Sequence, residues 1–196
     1  MKANKKVIAM VVALALAVCG IIGGTVAWLV AKTESVTNTF TYGDINITLD
    51  ETDTGDDDGN DLTNEYIMVP GNTIEKDPVV TVMANSEDAY LFVKMEKSDN
   101  FDSFMEYEMA DGWIALDGVE GVYYREVTKS DADAEFAVIK DNKVTVKGDV
   151  TKEMLNELDA EGKSDYPKLV VTAYAVQRDA DIEAINTAAE AWALVK

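Results

Sequence analysis

The side chains of this sequence that could do chemistry are almost all carboxylates. Acidic residues number 37 against 17 Lys and Arg, there is no histidine, and the formal net charge is −20. The absence of histidine excludes imidazole-based zinc sites and Ser-His or Cys-His catalytic pairs. The negative charge argues against nucleic-acid binding, because phosphate contacts need clustered Lys and Arg.

The densest carboxylate cluster is TGDDDGNDLTNE, residues 54–65, which partly fits a calcium-binding EF-hand loop. Asp56 and Asp58 stand at positions 3 and 5 of such a loop, and Glu65 stands at position 12. Position 1 is Thr54 instead of Asp, and the flanking sequences predict strands instead of helices. The segment therefore predicts either a weak calcium site or a solvated acidic loop, and we expect no other cofactor.

No combination of residues in the chain predicts an enzyme. The sequence has no H-E-x-x-H zinc helix, no G-x-S-x-G nucleophile elbow and no glycine-rich phosphate loop in its folded part. Carboxylate pairs occur by chance in so acidic a chain, so they do not indicate acid/base catalysis. Four aromatic residues could form a sugar-binding face, although strand aromatics are more often core residues. They are Trp113, Tyr123, Tyr124 and Trp192.

The N-terminus has the pattern of an export leader. Three lysines in the first six residues precede an uncharged, largely apolar run over residues 7–31, which is typical of a secretory signal or a membrane anchor. Thr25 and Ala27 are small residues at positions −3 and −1 relative to Trp28, so we predict signal-peptidase cleavage between Ala27 and Trp28. Cys19 is the only cysteine and lies in the leader, so we predict no disulfide in the mature chain.

Short strands dominate the sequence beyond the leader. Apolar residues alternate with polar ones at Ile45, Ile47 and Leu49, as in half-buried strands. Strand follows strand without a regular βαβ order, which predicts an all-β, antiparallel β-sandwich with two short peripheral helices. We predict strands over residues 39–50, 77–84, 89–97, 113–116, 119–127, 135–139, 143–147 and 168–177, and helices over residues 151–159 and from Asp179 or Asp181 to about Ala193.

Some of these segments allow a more detailed prediction. Residues 140–142 lie between two predicted strands and predict a hairpin turn. Residues 168–177 are apolar on both faces, which predicts a buried, central strand. Thr151 is the expected N-cap of the first helix. Residues 101–109 are ambiguous between helix and loop.

Several segments of the first half resemble the TasA/camelysin family, which consists of exported proteins with a SipW-type signal peptide. The matching segments are GGTVA at residues 23–27 with an aromatic next, NTFTYG at 38–43, INITL at 45–49 and VPG at 69–71, followed by residues 79–82, Asn85 and residues 90–94. The resemblance implies a jelly-roll β-sandwich, a dedicated signal peptidase and assembly into extracellular or biofilm matrix fibres. Residues 105–147 show no feature of the family.

The resemblance also implies how copies join, which is by the N-terminal strand of one subunit completing the sheet of the next. The partner is then another copy in a head-to-tail polymer, with an accessory matrix protein as a further candidate. Sheet edges have unpaired backbone groups, and a processed N-terminal segment can pair with them and propagate a polymer. The alternative is that this segment pairs within its own subunit. The candidate donor side chains are Trp28, Leu29, Val30, Val36 and Phe40.

The sequence thus predicts a signal peptide over residues 1–27, an extended candidate donor segment over 28–38 and a β-sandwich domain over 39–196. The expected location is the extracellular matrix or cell surface, with membrane contact only through the signal helix. Two other functions stay open. One is a cell-surface adhesion or binding module anchored by an uncleaved N-terminal helix. The other is a camelysin-like secreted metallo-endopeptidase, against which the absence of histidine counts.

Overall fold

A computed structural model of the chain describes residues 30–32, 45–52, 64–162, 165–178 and 185–195. The predicted signal helix, its cleavage site between Ala27 and Trp28, and most of the acidic loop lie outside the described residues. Within the described residues the protein is mostly β-strand, with three short helices.

The strands and helices follow in this order: β1 Val30–Lys32, β2 Ile47–Asp50, β3 Thr73–Glu75, β4 Val79–Val82, β5 Ala89–Lys97, α1 Phe101–Phe104, β6 Met105–Met109, β7 Ile114–Ala115, β8 Val122–Val127, β9 Ala134–Ala137, β10 Ile139–Val146, α2 Lys152–Glu161, β11 Leu169–Gln177 and α3 Ala188–Trp192.

The strands form three antiparallel sheets. The largest has the order β1-β11-β5-β8-β7, and the two smaller ones have the orders β3-β10-β6 and β2-β4-β9. In the five-stranded sheet the longest strand pair is β5 with β11. These strands are in register from Leu169 opposite Lys97 to Gln177 opposite Ala89. The two small sheets are linked at Val138, whose N–H donates to the carbonyl of Pro78 over 3.0 Å. The expectation of an all-β, antiparallel protein is therefore confirmed.

The two faces of the five-stranded sheet are covered differently. On one face a single apolar core takes buried side chains from all three sheets, among them Val80, Leu91 and Val144. On the other face a second cluster forms under α3, where Trp192 packs against Phe92 and Tyr174. Because both faces of this sheet are covered, β5 and β11 contain stretches that are buried at every position, residues 89–93 and 171–176.

Several predicted elements appear where the sequence placed them. Strand β5 occupies residues 89–97 and strand β4 lies within 77–84, as predicted. Ile45, Ile47 and Leu49 are all buried, as their alternation indicated. Helix α2 begins after Thr151, whose hydroxyl accepts a hydrogen bond from the N–H of Met154 over 3.3 Å, so the predicted N-cap is also confirmed.

The predicted hairpin around residues 140–142 is wrong. Strand β10 runs through these residues and pairs with β3 and β6, whereas β9 pairs with β4. Asp141 and Asn142 have positive φ values of 54° and 57°, which fit a turn, yet they form an irregularity inside one strand. The carbonyl of Asn142 accepts a hydrogen bond from Lys76 N–H over 2.8 Å, which keeps the distorted strand in its sheet.

Two other predictions need correction. Residues 101–109, read as helix or loop, form the single-turn helix α1 followed by strand β6, because Met105 pairs with Val146 in β10. The last helix begins after Thr187, which forms a capping box with Glu190, and not after Asp179 or Asp181. Both of those aspartates lie outside the described residues, and residues 185–187 are not helical.

Candidate functional site

The feature that bears on the predicted donor segment is the edge of the five-stranded sheet, where β1 pairs with β11. The two strands are antiparallel, with Val30 opposite Val176, Ala31 opposite Ala175 and Lys32 opposite Tyr174. The described residues of β1 therefore pair with Tyr174, Ala175 and Val176, in the C-terminal part of β11. Both strands belong to the same chain, so the edge is closed from within the subunit.

Strand β11 is built as an interior strand, as its sequence predicted. Ala173 and Ala175 face the main core, while Tyr174 and Val176 face α3. Trp192 holds the outer face in place, since its ring centroid lies 5.3 Å from that of Tyr174 in an edge-to-face contact. The segment that β1 covers therefore has buried side chains on both faces, and its backbone needs a partner strand on the side away from β5.

The N-terminal half of β11 is different. Over residues 169–172 the strand pairs with β5 on one side, and no described strand pairs with it on the other. Val170 is 48% exposed, which is unusual for a valine in so apolar a strand. The prediction of a buried strand is confirmed for residues 171–176, whereas Leu169 is half-buried and Val170 is exposed. Pro167 and Lys168, which directly precede β11, are residue types typical of sheet edges and were the available signal.

A cavity of about 450 Å³ lies beside residues 169–171 of β11. Its walls come from β2 at Leu49, from the segment around Met68 and from Leu169 and Val171 of β11, and Phe101 also lines it. The remaining lining residues are Asp50, Glu51, Asn64, Glu65, Tyr66, Ile74, Lys76, Pro78, Met105, Val144, Tyr166, Pro167, Lys168 and Val170. The cavity is thus mainly apolar, with charged groups among its lining residues.

One wall of the cavity holds a largely buried ion pair. Lys76 Nζ donates to both carboxylate oxygens of Glu51, over 2.8 and 2.7 Å, and the hydroxyl of Tyr66 donates to Glu51 Oε1 over 2.7 Å. The two charged side chains are only 13% and 20% exposed, respectively. The ammonium also lies 5.8 Å from the centre of the Tyr66 ring. These contacts fix the segment that carries Tyr66 against β2 and β3.

The predicted calcium site is only partly described. Asp56 and Asp58 lie outside the described residues, and Glu65 is an exposed residue that lines the cavity. Within the described ranges, no group of three or more His, Cys, Asp or Glu residues is arranged to hold a metal ion. The calcium site stays a prediction.

The predicted donor residues are also described only in part. Val30 lies in β1, where its backbone pairs with β11. Trp28, Leu29, Val36 and Phe40 lie outside the described residues.

The four aromatic residues considered for a sugar site do not share a face. Trp113 is buried in the main core and its indole N–H donates to the carbonyl of Ala137 over 2.8 Å. Tyr123 also packs on that core, whereas Tyr124 and Trp192 belong to the cluster under α3. A single carbohydrate-binding surface made of all four is therefore wrong.

An arginine between two aromatic rings was missed by the sequence analysis. The guanidinium carbon of Arg125 lies 4.0 Å from the ring centre of Phe136 and 5.3 Å from that of Trp113. Burial lowers the pKa of Arg125 from its usual value. Strands β8 and β9 and the residue before β7 bring these side chains together, and nothing in their spacing predicts the contact. The guanidinium stacks on the ring of Phe136 in a cation–π contact.

No helix in the part of the chain that the structure describes is long and apolar enough to cross a membrane. Comparison of the whole chain with known proteins gives no family model, no curated protein and no solved structure that matches it.

Proposed function

We propose that this chain is an exported structural protein whose copies assemble into extracellular or biofilm matrix fibres. In this proposal the described sheets form a jelly-roll-like β-sandwich, and the N-terminal strand of one copy pairs with β11 of the next. What supports it is that the edge of β11, a strand buried on both faces, accepts the strand Val30–Lys32. In the described structure that strand belongs to the same chain, which is the alternative to exchange, and the proposal is that a neighbouring copy supplies the same strand in the fibre.

Exchange between copies uses the contacts that the single chain already makes. A strand that pairs with its own β11 makes the same backbone contacts with the β11 of a neighbour, so exchange changes few local interactions. The donated strand and the accepting edge then lie on different parts of each copy, so the contact is head to tail. A contact of this kind can extend into a filament without closing into a ring.

The leader and the charge are consistent with the proposal. The basic, then apolar, start of the chain is typical of export, and cleavage after Ala27 releases residues 28–32 as a new N-terminus. Cleavage also removes three lysines, so exported copies carry a net charge of −23, which keeps them apart at low ionic strength. No metal or catalytic group is needed for this function.

Electron microscopy of the secreted protein tests the proposal with one matched pair of variants. Ala31→Pro removes a backbone N–H from the middle of β1 and should abolish filaments, because proline cannot donate to a strand ladder. Ala31→Ser keeps that N–H and should form filaments like the unchanged protein. Filaments of normal number and length from the proline variant would contradict the proposal.

A further inference from the structure

We propose that Arg125 anchors a binding site for a carboxylate group, at the surface between β8 and β9. The carboxylate is carried by a small molecule or by a side chain of a second copy of this chain. The inference does not depend on strand exchange, because β11 and β5 separate β8 from β1 in the five-stranded sheet. The residues that hold the guanidinium lie in the continuous described range 64–162.

Two aromatic rings and a glycine hold the guanidinium of Arg125 in place. Its central carbon lies 4.0 Å from the ring centre of Phe136 and 5.3 Å from that of Trp113. Trp113 is itself fixed, because its indole N–H donates to the carbonyl of Ala137 over 2.8 Å. A Cβ at Gly112, whose φ is +89°, would lie 2.8 Å from Nη2 of the guanidinium. Any side chain at that position would therefore displace the charged group.

Arg125 has no acidic partner within the described structure, although the chain has 37 acidic residues. The only other arginine, Arg178, donates to Glu126 over 2.6 Å and lies 3.8 Å from Asp88. Glu126 follows Arg125 directly in β8, and successive side chains of a strand point to opposite faces. Burial is the cause that lowers the pKa of Arg125, and no described carboxylate offsets it. The positive charge of Arg125 is thus left for a partner from outside.

The three nitrogens of the guanidinium differ in how a ligand can reach them. Nε is buried and has no hydrogen-bond partner among the described residues. Nη1 and Nη2 also form no hydrogen bond with a described residue, but they are not buried, so their N–H groups are accessible at the surface. These two nitrogens form the end of a planar fork whose spacing matches the two oxygens of a carboxylate. A carboxylate therefore binds end-on, through Nη1 and Nη2.

The charges around the site favour a carboxylate over a phosphate. Arg125 supplies a single positive charge, and Lys140 on β10 is already paired with Glu108 over 2.6 Å. The exposed carboxylates of Asp111 and Glu135 each lie one residue before a residue that contacts the guanidinium. They oppose the binding of any anion, and they oppose a doubly charged phosphate more strongly than a singly charged carboxylate.

Nuclear magnetic resonance of the arginine side chains tests the site directly. Because the chain has two arginines, an isotope-labelled sample gives two Nε–H signals, and Arg178→Lys identifies the signal of Arg125. Sodium benzoate, an aromatic carboxylate, is titrated into freshly prepared, filament-free protein at a constant ionic strength of about 0.1 M, where charges more than about 10 Å away are largely screened. We expect a saturable shift of the Arg125 signal and none of the Arg178 signal. Benzamide, which has the same ring without the charge, should shift neither.

A matched pair of variants separates the planar fork from the charge. Arg125→Lys keeps the positive charge and should weaken benzoate binding by about tenfold or more, because an ammonium cannot make the two parallel hydrogen bonds. Arg178→Lys is the control and should leave binding unchanged, since Arg178 already pairs with Glu126. The indole N–H signal of Trp113, whose ring lies beside the guanidinium, reports binding in every variant. If circular dichroism shows that Arg125→Lys does not fold, the titration of the unchanged protein is the deciding test.

A dilution series identifies the source of the carboxylate. If a second copy supplies it, the Arg125 signal shifts with protein concentration before benzoate is added, and benzoate then competes for the site. If the signal does not depend on protein concentration, the ligand is a small carboxylate. Either result, together with a saturable benzoate shift, supports the inference. Absence of a saturable shift at Arg125, equal shifts at both arginines, or unchanged affinity in Arg125→Lys overturns it.

Discussion

Val30 lies directly opposite Val176 in the antiparallel pair of β1 with β11, and both residues belong to one chain. The edge that the proposed fibre assigns to a neighbour is therefore occupied by the subunit's own N-terminal strand. A fibre then requires exchange of that strand, and not simply addition of a free tail to an empty groove. Whether a fibre forms therefore depends on the free-energy difference between the closed subunit and the exchanged one.

Truncation of Trp192, through which α3 packs on β5 and β11, should destabilise the protein. Trp192 packs at 5.3 Å from both Tyr174 and Phe92, measured between ring centres. Trp192→Ala should lower the free energy of unfolding by about 2–3 kcal/mol, because truncation of a packed, partly buried aromatic leaves a cavity. Urea unfolding measures this loss. Ile67→Ala is the control, since Ile67 is 86% exposed, and an equal loss in both variants would contradict the assigned packing.

The ion pair at the cavity wall should contribute more to the free energy of unfolding than an exposed ion pair does. Lys76→Met leaves the carboxylate of Glu51 largely buried without its cation, and we expect a loss of about 1–3 kcal/mol in the free energy of unfolding. Lys140→Met breaks the exposed pair of Lys140 with Glu108 and should have no measurable effect. Urea unfolding at neutral pH compares the two, and similar values for both would show that burial of the first pair is unimportant.

Alkaline pH should destabilise the protein partly through Tyr107. Burial raises the pKa of Tyr107 well above the ordinary tyrosine value of about 10. Above that value the unfolded chain loses the phenol proton while the folded chain retains it, so the free energy of unfolding falls as the pH rises past about 10. Tyr107→Phe keeps the ring packed against Phe101 and should make this fall smaller.

Urea midpoints measured at about pH 9 and pH 11, on either side of the ordinary tyrosine pKa of about 10, provide this test. The difference between the two pH values should be larger for the unchanged protein than for the phenylalanine variant. Identical differences would show that Tyr107 titrates as freely in the folded chain as in the unfolded one.

Salt should speed assembly. Cleaved copies, without the three lysines of the leader, carry a net charge of −23 and repel one another, and the Debye length falls from about 30 Å at 0.01 M to about 10 Å at 0.1 M ionic strength. Filament growth followed by turbidity and electron microscopy should therefore be faster at the higher ionic strength, and divalent cations should act at lower concentrations. A growth rate that does not depend on salt would show that charge repulsion does not limit assembly.

Much of the fold could be predicted because alternation and strand length are local properties. Strand β5 was placed within its observed bounds, and the cap at Thr151 was found, since both depend on neighbouring residues. The turn-like pair Asp141 and Asn142 was misread, because only its tertiary partners show that β10 continues through it. Local turn chemistry does not distinguish a hairpin from a distorted strand.

The candidate site was less accessible to prediction. The burial of β11 on both faces followed from its apolar sequence, but its pairing with β1 joins two segments far apart in the sequence, which no local pattern indicates. The cavity combines Leu49, Met68 and Leu169 from distant parts of the chain, so no sequence spacing indicates it. The self-pairing of β1 was the alternative to exchange between copies, and sequence alone does not decide between two chemically identical partners.

The most direct test of strand exchange uses two single-cysteine proteins. One carries Val30→Cys and the other Val176→Cys, both with Cys19→Ser, and they are mixed under assembly conditions and oxidised. The account predicts that disulfide-linked dimers containing one copy of each form together with filaments, because Val30 of one copy then lies opposite Val176 of another. Filaments without such dimers would show that copies join by other contacts and would contradict the central claim.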